Sequence, residues 1–153
     1  MKLASSAFQD GRAIAVKYTG FDADVSPPLT WSGAPAGTRG FALVCDDPDA
    51  PVGTWVHWVI YGLHPSTTGL PEGVEPGESL AGGARQGVND FGRVGYGGPL
   101  PPAGKPHRYF FKLYALDTEL ALGPRATKGE LLRAIEGHVL AQAQLMGTFQ
   151  RPR

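Results

Sequence analysis

The chain has 153 residues, 42% of them hydrophobic, and its 14 Lys+Arg balance 14 Asp+Glu to a formal net charge of zero. That is enough chain for one domain with a sizeable core, and the apolar content argues against disorder. The cations are scattered rather than gathered into a basic stripe, which argues against a nucleic-acid or anionic-membrane partner, and no apolar run approaches the roughly 18 residues of a membrane span.

The opening residues, MKLASSAFQDG, carry one lysine and no hydrophobic segment, so they do not read as a secretory signal. Next, AIAVKYTG (13–20) alternates loosely and predicts a first strand. SPPLTWSGAPAG (26–37) is rich in Pro and Gly and predicts irregular chain, with Trp31 packed inward. GFALVC (40–45) is a compact apolar run, a buried strand. Its Cys45 is the only cysteine, so no internal disulfide forms. It reads as a small buried hydrophobe, and a reducing cytoplasm fits it.

VHWVIYGL (56–63) is β-branched and aromatic, another strand. Between Gly82 and Gly98 lie seven glycines, with an eighth at Gly104, in a connection running to Pro106. Connections of that length inside a compact domain are often functional, and Phe91 and Tyr96 are expected to anchor this one. HRYFFKLYAL (107–116) predicts a further strand, apolar on both faces. Thr127 and Glu130 then fit a capping box. Leu131, Leu132, Ile135, Val139, Leu140 and Ala143 follow at helical spacing, which predicts an amphipathic helix carrying His138 as a surface or packing residue and stopping at Gly147. With 22 glycines and 14 prolines, the fold class predicted is mainly β: a β-rich α+β fold with a central antiparallel or mixed sheet, few helices and one C-terminal amphipathic helix.

Chemistry concentrates where strands begin and end. Asp46, Asp47 and Asp49 follow the strand ending near Cys45, His57 opens the next strand, and His107 opens the third. If the first two strands run antiparallel, and the third runs parallel to the second, all three clusters meet at one edge of the sheet. A carboxylate beside an imidazole fixes its tautomer and favours its charged form, so the cluster suits an anion. Trp55 and Tyr109 are placed to wall the cavity, and Ala50-Pro51 is a candidate cis bond. The competing reading of the same residues is structural turns and satisfied histidines. Two motifs mislead: Asp90-Phe91-Gly92 has no accompanying kinase signatures, and the glycines at 95–98 lack a strand-turn-helix setting for a dinucleotide.

The segments DPDAP (47–51), WVHW (55–58) and GPLPPAGKPHRYFFKLYAL (98–116) resemble the phosphatidylethanolamine-binding protein family, also called Raf kinase inhibitor-like proteins. FQDG, SPPLTWSGAP and NDFGRVGYGGP agree, so the resemblance covers nearly the whole chain, closest to the small bacterial and archaeal branch. It implies a compact β-rich fold with an anion-binding cavity at one end. On the family pattern Asp47, His57 and His107 line that cavity, and Ala50, Pro51, Trp55 and Tyr109 shape it. Backbone donors come from Gly95, Gly97 or Gly98, and Asp49 and Arg108 pair at the rim. Only three residues, Val52 to Thr54, separate DPDAP from WVHW, and the chain ends soon after the predicted helix. Both features depart from the animal proteins, so inhibition of a Raf-type kinase is not carried over.

The expected function is non-catalytic binding of a small anion, such as a phospholipid head group or another phosphorylated ligand, with a regulatory or inhibitory role. No enzyme activity, cofactor or metal is expected, and no nucleic acid or integral membrane association. The alternatives are a surface-mediated inhibitor of a kinase or protease, and a metal-assisted hydrolase using the Asp/His cluster. The resemblance also leaves a homodimer open.

Overall fold

The computed structural model describes residues 1–153. Its strands form two sheets in which every pairing is antiparallel. The smaller sheet joins β1 (Lys2–Ala4), β2 (Leu29–Ser32) and β5 (Gly69–Leu70) in the order β1-β2-β5. The larger has the order β6-β4-β3-β7-β8, built from β3 (Gly40–Asp47), β4 (Trp55–Leu63), β6 (Arg85–Gln86), β7 (His107–Leu116) and β8 (Val139–Phe149). A single α-helix, α1 (Lys128–Ile135), precedes β8.

The central strand β3 is buried along its whole length, as its unbroken apolar run requires. Successive side chains of a strand point to opposite faces. Phe41, Leu43 and Cys45 therefore join one core with Trp31, Trp58, Ile60, Tyr109 and Phe111. Ala42 and Val44 join a second core with Val59, Tyr61, Leu131 and Ile135, beneath α1. Because β4 and β7 are each antiparallel to β3, they run parallel to each other, and their first residues lie beside the last residues of β3.

Four local expectations are corrected. Residues 13–20 form no strand: Val16–Tyr18 is a short 3-10 turn, and Ala13 makes only an isolated bridge to Thr148. Within 26–37, four residues pair as β2, and Trp31 is buried there as expected. The Ala50–Pro51 bond is trans. The predicted long helix is a short helix followed by a strand. The capping box at Thr127 and Glu130 forms, but α1 ends at Ile135, and Gly137 at φ +80° turns the chain into β8. Ala141, Ala143, Leu145, Gly147 and Phe149 then alternate as one face of that strand, with Gly147 inside it, while a bulge next to Val139 turns that residue to the opposite face. His138 lies in the turn between helix and strand, with its Nδ1 2.8 Å from an Asp117 carboxylate oxygen.

Candidate functional site

The ends of β3, β4 and β7 converge as the sequence pattern requires. Asp47 pairs with Trp55 across β3 and β4, and Asp46 pairs with Phe110 across β3 and β7. A pocket of about 220 Å³ opens there. Asp47, His57, His107 and Tyr109 supply its polar groups, and Ala50, Pro51 and Trp55 shape it. Val52, Phe91, Leu100, Pro101 and Pro102 complete the wall. Sequence reasoning did not assign these last five to the pocket. The proline tract just before His107 was the available signal, since prolines stiffen a loop that must hold a wall.

Both imidazoles are anchored through the same ring nitrogen. His107 Nδ1 lies 2.7 Å from Asp47 Oδ2, and both side chains are buried. His57 Nδ1 lies 2.6 Å from the Gly97 carbonyl oxygen. A carbonyl or carboxylate oxygen only accepts, so each ring carries its proton at Nδ1. That leaves Nε2 of each ring without a hydrogen-bond partner in the protein. Edge-to-face contacts hold the His57 ring between Phe91 and Tyr109, at 5.4 and 5.1 Å between centroids. Burial pushes the His57 pKa down, only partly offset by the Gly97 carbonyl and the Asp47 charge. Burial first, and then the Asp47 charge, hold the Tyr109 hydroxyl protonated far above the ordinary phenol range.

Two buried side-chain polar atoms in the protein have no hydrogen-bond partner, Trp55 Nε1 and Tyr109 Oη. Both belong to pocket-lining residues, and both are donors. Buried donors are almost always satisfied, so these two stand out among the buried polar groups of the chain.

The neighbouring turn is built by Asp47 and Asp49. Asp47 Oδ1 accepts from the Asp49 N–H at 2.7 Å. Asp49 accepts from Arg108 Nε at 3.0 Å, Nη2 at 2.8 Å and the Arg108 backbone N–H at 2.9 Å. That rim pair is the one the sequence suggested, and its hydrogen bonds lower the Asp49 pKa to about 2. Asp46 points the other way, as strand alternation dictates, and binds Lys128 at 2.6 Å and Lys112 at 3.3 Å outside the pocket.

The expected glycine donors are a correction. The Gly95 N–H donates to Gly87 O, the Gly97 N–H to His57 O and the Gly98 N–H to Asp24 Oδ1. None of the three lines the pocket, because their donors are consumed in fixing the loop against β4 and residue 24. Asp90 of the misleading Asp-Phe-Gly triplet also does structural work: its carboxylate and backbone N–H both bind the Val56 backbone. No three His, Cys, Asp or Glu side chains are arranged as a metal-ligand group.

Comparison with known proteins gives a consistent result. The family model for phosphatidylethanolamine-binding protein matches residues 4–150. A UPF0098 protein of Methanothermobacter thermautotrophicus is 50% identical over 151 residues, spanning 99% of each chain. A UPF0098 protein of Aquifex aeolicus is 45% identical over 153 residues, covering 99% of this chain and 89% of its own. The crystal structure of CT736 from Chlamydia trachomatis, described as a homologue of phosphatidylethanolamine-binding protein, superposes with a TM-score of 0.90 at 40% identity, covering 99% of this chain and 97% of its own. Escherichia coli YbcL, described as a member of the mammalian family, gives a TM-score of 0.91 at 33% identity, with 99% and 98% coverage.

Proposed function

The chain belongs to the phosphatidylethanolamine-binding protein family, and on that premise we propose that its pocket is a non-catalytic receptor for a small anion, a phosphate monoester above all. The observation that carries this reading is the pair of buried donors without acceptors, Trp55 Nε1 and Tyr109 Oη, in the wall of one cavity. A phosphate group brings several acceptor oxygens and satisfies both.

The two histidines add the charge. Each is fixed at Nδ1, so protonation at Nε2 makes each a cationic donor toward the ligand. An incoming anion favours the charged form of His57, which burial otherwise opposes. Binding therefore takes up protons, and affinity for a fixed ligand charge state strengthens as pH falls. The apolar wall of Val52, Leu100, Pro101 and Pro102 suits a carbon substituent on the phosphate rather than a second charge.

The test is isothermal titration calorimetry with inorganic phosphate and O-phosphoethanolamine, with ethanolamine as the control lacking phosphate. The expected result is saturable binding of both phosphates, with proton uptake revealed by buffers of different ionisation enthalpy. Binding is lost in His107→Gln, which keeps a donor for Asp47, and in His57→Phe. No heat with either phosphate, or unchanged binding in both variants, contradicts the reading.

A further inference from the structure

The run GYGGP (95–99) sets two adjacent glycines behind the pocket, and close approach demands both. A side-chain carbon on Gly97 would come within 2.6 Å of the Phe91 ring. One on Gly98 would run into the Tyr18 carbonyl oxygen and come within 2.8 Å of Asp24 Oδ1. Glycine lets a backbone approach where any other residue would hold it off. What these two admit is a single peptide unit, held between an imidazole and a carboxylate.

The Gly97 carbonyl accepts from His57 Nδ1 at 2.6 Å. The N–H of the same peptide unit, that of Gly98, donates to Asp24 Oδ1 at 2.7 Å. The Gly97 N–H donates in turn to the His57 carbonyl at 2.9 Å, so the ring and its own backbone are gripped together. Gly97 and Gly98 are buried and Asp24 is half-buried. Asp24 has φ +56°, in the left-handed region that Asn and Asp tolerate better than most residues. It does not line the pocket. A hydrogen bond to a carboxylate is charge-assisted and polarises the peptide that donates it. The carbonyl at the other end becomes a stronger acceptor for the His57 Nδ1–H.

We propose that Asp24 is a positioning residue of the anion site, acting on His57 through the Gly97–Gly98 peptide unit. It fixes the Nδ1–H tautomer, leaves Nε2 free, and supports the charged ring that an anion calls for. Each imidazole then has a carboxylate of its own: Asp47 lies 2.7 Å from His107, and Asp24 reaches His57 through one peptide. Asp47 on β3 and Tyr109 and His107 on β7 also face His57 across the pocket, and Arg93 lies 3.6 Å from Asp24 Oδ2. Burial lowers the His57 pKa first of all, and the Gly97 carbonyl, Asp47 and Asp24 oppose it. The rival role for Asp24 is a plain loop pin, which needs an acceptor but no charge.

This role rests on the pocket reading, and its test runs on the full chain without ligand. The His57 ring signals and the Gly98 amide are followed by NMR across the histidine range. In wild type the Gly98 amide tracks the His57 ring titration, a result that needs no variant. Asp24→Asn keeps an acceptor of the same shape, tolerates the same φ and removes only the charge. In it the His57 midpoint moves to lower pH and the Gly98 amide proton moves upfield as its hydrogen bond weakens. Asp22→Asn, which removes an exposed charge from the same turn, changes neither. Near the wild-type midpoint, phosphate affinity falls about threefold in Asp24→Asn, since the carboxylate is half-buried and shares its charge with Arg93. An unchanged His57 midpoint, a midpoint that moves while the Gly98 amide stays in place, or an equal shift in Asp22→Asn overturns the proposal. A wild type that binds no phosphate fails the pocket reading, and the ligand-free titration still decides the role of Asp24.

Discussion

The two ends of the β4-β3-β7 core present cavities of opposite character. At the Gly40 end a cleft of about 390 Å³ is lined by Arg39, His64, Arg85, Glu119 and the chain around Leu122. Its ionisable side chains are exposed, and its buried hydroxyl, Tyr61, both donates to Gly123 O and accepts from the Ala126 N–H. At the Asp47 end the cavity is smaller, about 220 Å³, yet it buries a carboxylate and two imidazoles and leaves two donors without acceptors. Volume alone would favour the Gly40 end. A binding site is marked by polar groups that folding alone would not leave in that state, since burying them costs free energy that only a ligand returns.

The largest way to sharpen this contrast is to remove one member of the buried pair. His107→Leu leaves the Asp47 carboxylate buried without its partner and is expected to destabilise the fold by about 3 kcal/mol in urea unfolding. Arg39→Ala, at the other end, makes no measurable change, because Arg39 has no ion pair and its side chain is exposed. Equal losses at both ends would erase the distinction.

Next in size is ligand affinity. Tyr109→Phe removes one of the two unsatisfied donors and is expected to weaken phosphate binding about tenfold, or about 1.4 kcal/mol, while leaving the apo protein as stable or more so. A variant that loses stability without losing affinity would assign Tyr109 to the core alone.

The Asp49 carboxylate offers a pH test at the rim. Its folded pKa of about 2 lies below the ordinary value of about 3.9, so its contribution is present above about pH 4 and is lost as pH falls toward 2. Solvent reaches this pair, so Asp49→Asn is expected to cost about 1 kcal/mol at neutral pH rather than the larger figure of a buried pair. The gap between wild type and variant should close on acidification.

The smallest effect comes from His57. Its folded pKa lies below the ordinary histidine value because burial disfavours the charged ring. The unfolded chain therefore binds the extra proton first, so stability falls as pH drops below about 6.5. Saturating phosphate should flatten that slope, because the anion favours the protonated ring, and His57→Phe should remove it. Thermal melts from pH 7.5 to 5 report both.

Much of this contrast was legible in the chain itself. β3, β4 and β7 are apolar on both faces and bounded by Gly, Pro and Asp, so few other readings fit. Their antiparallel and parallel relations then brought Asp47, His57 and His107 together without any further information. The helix start was equally plain, because a capping box is a local device. Its end was not. Leu131, Ile135, Val139 and Ala143 keep a spacing of four, which is a multiple of two as well as nearly a helical turn, so the pattern could not separate α1 from β8. Gly137 decided the matter through its positive φ. The glycine donors failed for a different reason. Whether the N–H groups of Gly95, Gly97 and Gly98 are free depends on Gly87, His57 and Asp24, which are brought there only by the folded chain. β1 and β5, three and two residues long, are held by pairing rather than by any pattern of their own.

The central claim is that one end of the sheet binds phosphate and the other does not. The four histidines make this directly visible by NMR, since His57 and His107 line the pocket, His64 lines the far cleft and His138 sits in the turn before β8. Titrating inorganic phosphate and then O-phosphoethanolamine, the account predicts that the His57 and His107 ring signals shift together and saturate, while His64 and His138 stay in place and His107→Gln abolishes the response at His57. Silence at both pocket rings, or a saturating shift at His64 instead, would contradict it.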